Sequence, residues 1–490
     1  MYQLFYKPID SWVGDVIPYY KDGTFFLYFL EEKRRNGIPA DRTTWNLIMT
    51  KNFIHYENKG IVLPAGTDDS PDRSCYTGSV IEDAEGNWHL FYTAQNSVNP
   101  LYLHNGRPLQ YIAHAKGKDG IHWEKDPDFL LKAEEGYDVY DWRDPFVFYN
   151  REGGYYLMLV AAKRKSDRLK GGGCLYGMKS YDLEHWEADG EFYAPETYMT
   201  HECPDCFKMG EWWYLIFSTF SEKYTTHYRM SRSLKGPWII PQNDTFDGRA
   251  FYAAKTVKGE GKRYLFGWIP TKLGENDFGK WEWAGNLAVH ELVQNQDGTL
   301  AVKLPDLSKN CKLHVVIPQL VGILGKAEYR GERWHIQGKE RLSAVFLDRL
   351  PIHGAIHMKI TFSEKIASFG LQLHGNQTFD QGYFYRFEPL FQRIVFDQWP
   401  RSNLTEPIIP NSFENDRPFD AGLERSVILR QERTLEVTLL IDQDICVLYV
   451  DHQTALTVRC YQWQRSVWGF FAVGGEIVVS EIECSSLDDF

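Results

Sequence analysis

Three carboxylates stand apart from the 66 Asp and Glu residues of this chain, because aromatic or apolar side chains flank them. They are Asp15 in Trp12-Val13-Gly14-Asp15-Val16, Asp144 in Trp142-Arg143-Asp144-Pro145-Phe146, and Glu202 in His201-Glu202-Cys203-Pro204. Glycoside cleavage uses such groups in pairs. One carboxylate attacks the anomeric carbon while a second, protonated, donates to the leaving oxygen; in the retaining case the two stand about 5–5.5 Å apart. The plainer alternatives are a turn aspartate at a strand end for Asp15, a turn cap before proline for Asp144, and an ion pair with a neighbouring cation for Glu202. Residues this far apart in sequence can act together only if the fold brings them to one place.

The elements that must do so are strands. Short apolar and aromatic runs bounded by Gly, Asp and Asn recur throughout, while 3.6-residue periodicity is scarce, so the expected fold class is all-β. One signature, a turn followed by an aromatic strand, returns at Gly23 to Phe29, Gly86 to Tyr92, Gly154 to Val160, Gly210 to Phe217 and Lys262 to Trp268. A second, a turn leading to an aromatic residue, follows at Asn52 to Tyr56, Asp119 to Trp123, Asp182 to Trp186 and, more loosely, Leu234 to Trp238. Two signatures repeating in the same order predict a five-bladed β-propeller, whose innermost strands gather around one axis; unrelated hairpins are the alternative. After Trp281 longer period-2 strands take over, such as Leu435 to Ile441, which predicts an antiparallel sandwich. The expected division is a propeller over 1–302, a linker over 303–315 and a β-sandwich over 316–490.

Composition narrows the partners. The net charge is -12 and the basic residues are scattered, which argues against nucleic acid. No apolar run reaches membrane-spanning length, no secretory leader is evident at Met1 to Lys7, and the eight cysteines are thinly spread, so a cytoplasmic protein with reduced thiols is expected. Cys203 and Cys206 form a lone C-x-x-C without a second pair, and His114, His122, His185 and His290 sit beside strands or turns; packing and structural hydrogen bonds are expected of them, not metal ligation. Gly171 to Gly173 lacks the Lys-Ser/Thr of a phosphate loop. No cofactor is implied, since two carboxylates suffice for this chemistry.

The sequence resembles glycoside hydrolase family 32, the invertase, inulinase and levanase group. Arg143-Asp144-Pro145 matches that family's Arg-Asp-Pro motif, and Glu202-Cys203-Pro204 its Glu-Cys-Pro motif. Tyr76-Thr77-Gly78-Ser79, Phe251 to Lys255 and Trp283 to Leu292 are similar to further signatures in the family's order. The resemblance implies a five-bladed propeller followed by a sandwich. It implies Asp15 as nucleophile, Glu202 as general acid/base, and Asp144 as stabiliser of the oxocarbenium-like transition state, with Arg143 setting orientation and charge. A partly buried Glu202 facing like charge should then have a raised pKa. Trp12, Trp45, Ser79 and Arg143 are the implied sugar-binding residues.

The first motif departs from the family pattern. Gly14 replaces a sugar-contacting Asn, and Leu30, followed by Glu31, replaces a Gln. The expected activity is release of terminal β-fructofuranosyl residues from a small oligosaccharide, by a monomer or homodimer. Transfer to another sugar, hydrolysis of another furanoside such as an arabinofuranoside, and a sugar-binding propeller with weakened catalysis are the rival readings.

Overall fold

A computed structural model describes residues 3–34, 38, 41–165, 171–221, 224–306, 313–400, 423–429, 434–462 and 465–487. Among these the chain is nearly all strand, with two three-residue 3-10 turns, Pro100–Tyr102 and Pro389–Phe391, and no α-helix. No helix among them is long and apolar enough to cross a membrane.

The N-terminal sheets are antiparallel and each starts from a strand near a common axis. Trp12–Lys21, Ser74–Glu82, Tyr137–Asn150, Glu202–Met209 and Tyr252–Gly259 pack side by side in that order, and the last returns to the first, closing a ring. Each ring strand pairs with an aromatic strand behind it: Thr24–Glu32, Trp88–Gln95, Tyr155–Arg164, Trp212–Thr219 and Lys262–Lys272. These are the copies of the first sequence signature. Their aromatic density reflects burial on both faces between neighbouring sheets, as in Trp212–Thr219, where Trp213 through Thr219 are all buried. The second signature is a turn into an outer strand. Asp119 accepts the Ile121 and His122 amides, and Asp182 repeats the arrangement with Glu184 and His185. The first and last sheets are continuous, joined through the single pair Val13↔Gly285.

Beyond Leu300–Lys303 two further antiparallel sheets face each other. In His353–Phe362 buried and half-buried residues alternate without exception, as a sheet packed on one face requires. Ile356, Met358 and Ile360 from that sheet share one apolar cluster with Phe369, Leu371 and Tyr385 from the other. Of the linker expected over 303–315, residues 307–312 lie outside the described set. Leu313–Val316 is already a strand, paired with Glu476–Leu487, so the C-terminal sheets begin before residue 316.

The two halves are bolted together by buried polar groups. Arg459 of the C-terminal half donates to the Pro270 and Ile269 carbonyls and to Asn286, and pairs with Asp444 at 2.5 Å. Asp277 accepts the Tyr383 hydroxyl at 2.6 Å and the Tyr461 amide at 2.8 Å. His290 bridges Asp247 and the Tyr449 hydroxyl.

Candidate active site

The ring strands share one distortion. Each loses register with its partner at a corresponding place: between Gly14 and Val16, Tyr76 and Gly78, Arg143 and Phe146, Glu202 and Asp205, and Tyr252 and Lys255; Tyr137–Asn150 slips a second time between Tyr137 and Trp142. A bulge leaves an extra residue out of the ladder and re-aims its side chain. The residues released in this way include Asp15, Thr77, Asp144, Cys203 and Ala253. All five line one cavity of ≈ 640 Å³ together with Glu202, Arg143, Tyr252, Trp268 and Trp283. Asp144, Cys203 and Ala253 hold φ of 56°, 50° and 52°. Left-handed backbone at non-glycine residues costs of order 1–3 kcal/mol each and persists where the surroundings impose it. Sequence positions as far apart as 15 and 253 thus meet at the centre of the ring.

The carboxylates are tied to this frame and to one another. Asp15 accepts from the Thr77 hydroxyl through one oxygen and from the Trp268 indole at 3.0 Å through the other. Burial raises its pKa above the ordinary carboxylate value and the Asp144 charge adds to that, while the two donors pull it down. Asp144 is 4% exposed and accepts the Cys203 amide at 2.9 Å; its own amide donates to Thr93 at 2.8 Å. Glu202 accepts from the Tyr252 hydroxyl at 2.6 Å and from Arg143 at 3.2 Å. Burial pushes the Glu202 pKa up to about 7; the Arg143 charge and the Tyr252 hydrogen bond oppose this, and Asp144 and Asp15 reinforce it. Burial works against the charge on Arg143, yet Glu202, Asp141 and Asp144 together hold its pKa above the ordinary value. The outcome is three carboxylates in one pocket with different partners: Asp15 held by Thr77 and Trp268, Asp144 by the Cys203 amide, and Glu202 by Tyr252 and Arg143, with burial raising the proton affinity of Asp15 and Glu202.

Asp15, Asp144, Glu202 and Arg143 therefore line one cavity. Trp12, Trp45 and Ser79 do not join the pocket wall. Trp45 has no exposed surface and spends its indole N–H on the Tyr76 carbonyl at 3.0 Å. Ser79 lies two residues beyond the bulge, 3% exposed, where its hydroxyl accepts the Val147 amide and stitches two ring strands together. Trp12 lines a neighbouring depression and stacks under the Arg34 guanidinium at 4.1 Å. Leu30 is fully buried opposite Gly14, and Glu32, two residues on, lines the pocket instead.

Thr77, Tyr252, Trp268, Trp281 and Trp283 are site residues the sequence reading did not single out. Thr77, Tyr252 and Trp283 lie within segments whose similarity was noted, and Trp268 ends the last aromatic repeat, so the signal was one of position within the repeat. Cys203 and Cys206 are buried thiols whose pKa burial drives far up, and none of the described cysteines is disulfide-bonded. His122 and His185 pair with the aspartates of their own turns, and His114 stacks against His89 and Phe91, as structural histidines do. Among the described residues no cluster suited to a metal ion is present.

Comparison with known proteins adds the lineage. Over 273 residues the chain is 29% identical to the sucrose-6-phosphate hydrolase of Escherichia coli, covering 52% of this chain and 54% of that protein. It is 26% identical over 278 residues to the levanbiose-producing levanase of Bacillus subtilis, covering 53% and 46%. The chain thus spans about half the length of the curated relatives it matches. Among solved structures, the exo-inulinase of Aspergillus awamori superposes with a TM-score of 0.72 at 15% identity, over 99% of this chain and 98% of that one. The sucrose-6-phosphate hydrolase of Lactobacillus gasseri gives 0.72 at 17%, over 98% and 92%. Likeness at that identity speaks for the fold. Residues 6–303 match the N-terminal domain of the glycosyl hydrolases family 32, and the chain belongs to that family.

Proposed function

We propose that the chain is a retaining glycosidase that releases terminal β-fructofuranosyl residues from short, uncharged oligosaccharides, on a five-bladed propeller (1–302) followed by a sandwich. The observation that carries this reading is the pair of unlike carboxylates on bulged ring strands: Asp15, held as an acceptor by two donors, and Glu202, with a pKa near the working range at about 7. Asp15 attacks the anomeric carbon as the Glu202 proton passes to the leaving oxygen, forming a glycosyl ester on Asp15. Glu202, now a carboxylate beside Arg143, takes a proton from water, which opens the ester and restores both groups. Asp144, fixed by the Cys203 amide, offers negative charge to the oxocarbenium-like transition state.

The lining favours a neutral substrate. Asp15, Glu32, Asp144, Glu202 and Glu282 face the cavity against the guanidiniums Arg143 and Arg249, and among the described residues no lysine or histidine lines it. Arg143 is already engaged by Glu202 and Asp141. A phosphate would meet more carboxylate than cation, unlike the substrate named for the sucrose-6-phosphate hydrolases it resembles.

The test is product analysis with sucrose, sucrose 6-phosphate, short fructans and aryl furanosides. Fructose release with sucrose preferred over its phosphate is expected. Glu202→Gln should lose most turnover of sucrose yet keep much more on an aryl fructoside, whose leaving group needs no proton. Preference for the phosphate would remove the neutral-substrate reading, and turnover of a different furanoside alone would remove the fructosyl one.

A further inference from the structure

Gly14 precedes Asp15, and its backbone is not in the left-handed region, so conformation does not call for glycine there. What does is contact. A Cβ at this position would lie 2.5 Å from both Cη2 and Cζ2 of Trp283, well inside van der Waals contact with a bulky ring. The Trp283 ring thus occupies the volume into which a side chain at position 14 would project.

The backbone that carries this ring is held in place. Arg34 donates to the Trp283 carbonyl and to Thr271 Oγ1, and its Nε lies 3.5 Å from Glu282. The guanidinium is itself stacked on Trp12 at 4.1 Å. Ala284, immediately after Trp283, has a φ of 68°, and Gly285 pairs with Val13 beside the bulge. In front, the ring meets Trp268 edge-on at 6.2 Å, and it is Trp268 that donates to Asp15. Despite these restraints Trp283 lines the cavity with 37% of its surface exposed. A large apolar ring whose backbone is fixed by Arg34 and whose edge is set by Trp268, open to the pocket and packed over Gly14 beside Asp15, offers a flat face to whatever Asp15 attacks.

We propose that Trp283 is a specificity-determining residue for the donor sugar: the C–H face of the furanose stacks on its indole, replacing a polar contact from position 14, with Gly14 as the space that admits the ring and Arg34 as the positioning residue. This rests on the reading of Asp15 as the group that attacks the sugar. Stacking of this kind adds binding through contact area and leaves the proton transfers at Glu202 and the attack by Asp15 untouched.

The experiment is steady-state kinetics on an aryl β-fructofuranoside for the wild type, Trp283→Ala, Trp283→Phe, Gly14→Ala and the Gly14→Ala/Trp283→Ala double variant, each checked by thermal melting. Trp283→Ala should raise KM about tenfold with kcat within roughly threefold, and Trp283→Phe should keep most of the affinity. Gly14→Ala should lose most activity and the double variant recover it toward the level of Trp283→Ala, because removing the ring frees the space. An unchanged KM in Trp283→Ala, or strictly additive losses in the double variant, would overturn the proposal. If the wild type turns over only another aryl furanoside, the fructosyl reading falls and the same KM comparison on that substrate decides the role of Trp283. No turnover of any furanoside overturns both.

Discussion

Two strands near the centres of their respective halves invite comparison. His353–Phe362 in the C-terminal half keeps register with Thr434–Asp442 through every pair from His353↔Asp442 to Thr361↔Thr434. Tyr137–Asn150 in the N-terminal half slips twice against Tyr155–Arg164, once on each side of the Trp142–Arg143 pairs. The first strand buries Ile356, Met358 and Ile360 in an apolar core; the second delivers Arg143 and Asp144 to a polar cavity. A regular ladder maximises paired backbone and gives alternate residues to the core. A ladder broken at a corresponding place on every ring strand gives up pairing and accepts left-handed backbone at Asp144, Cys203 and Ala253 in order to aim side chains at one point. The slips shared by the five ring strands bring Asp15, Thr77, Asp144, Cys203 and Ala253 to one cavity, whereas His353–Phe362, which slips once against Glu476–Leu487 between His357 and Lys359, serves an apolar core.

The most direct way to break this comparison is to remove the group that the first bulge presents. Asp15→Asn should lower turnover by roughly 10⁴-fold, about 5 kcal/mol of transition-state stabilisation, with little change in melting temperature. Near-normal turnover of the purified variant would mean that the nucleophile lies elsewhere and that the bulge at Asp15 serves packing alone.

The dependence of one half on the other is next in size. Arg459 is nearly buried, and truncating it leaves Asp444 and the acceptors at Ile269, Pro270 and Asn286 without their donor. Loss of a buried pair of this kind costs on the order of 3 kcal/mol. Arg459→Ala should lower the denaturant midpoint accordingly, whereas Lys116→Ala, which breaks the exposed Lys116–Glu184 pair, should change it by less than about 1 kcal/mol. Equal effects would mean that the halves are not coupled through this contact. Because Pro270 also lines the cavity, Arg459→Ala should affect KM as well.

The repeat made the broad architecture legible in the sequence, since a turn followed by an aromatic strand recurs wherever a strand is covered on both faces. The convergence of Asp15, Asp144 and Glu202 was legible through their apolar flanks and through the similarity of their motifs. Which further residues line the pocket was not. Trp45 and Ser79 sit on the right strands, but a strand alternates its faces with every residue and a bulge resets that alternation, so membership of a strand does not fix the direction of a side chain. Trp12 acts one step removed, through Arg34. The contact between Gly14 and Trp283 joins positions 269 residues apart in sequence, beyond the reach of local pattern.

A smaller effect links the pocket to stability. In the native state Glu202 holds its proton up to a pKa of about 7, against an ordinary value of 4.5. Since the folded pKa is raised, the native state binds the proton more tightly, and the wild type loses stability as pH rises from 4.5 through 7. Glu202→Gln cannot titrate. Its stability relative to wild type should therefore improve by up to about 3 kcal/mol between pH 4 and pH 8, whatever its offset at pH 4. Urea unfolding at both pH values measures this difference. A constant offset would mean that Glu202 titrates normally and is not set up as an acid.

Smallest, and most specific to the comparison, is a single hydroxyl removed from each half. Tyr252 donates to Glu202 at 2.6 Å, which favours the carboxylate and holds its pKa below what burial alone would set. Tyr252→Phe should therefore raise the Glu202 pKa further. Because the acid must be protonated to deliver its proton, the alkaline limb of the pH profile of kcat/KM should move upward by as much as about one unit, the value of one hydrogen bond to a charged group. Tyr385 in the C-terminal half donates to the Cys446 and Leu456 carbonyls at 3.2 and 3.3 Å and faces no catalytic group. Tyr385→Phe should cost about 1 kcal/mol of stability and leave the profile in place. A downward or absent shift in Tyr252→Phe would show that its hydroxyl does not tune Glu202. A shift of the limb in Tyr385→Phe would show that the C-terminal half reaches the proton transfer after all, through the same buried contacts that Arg459→Ala is expected to loosen.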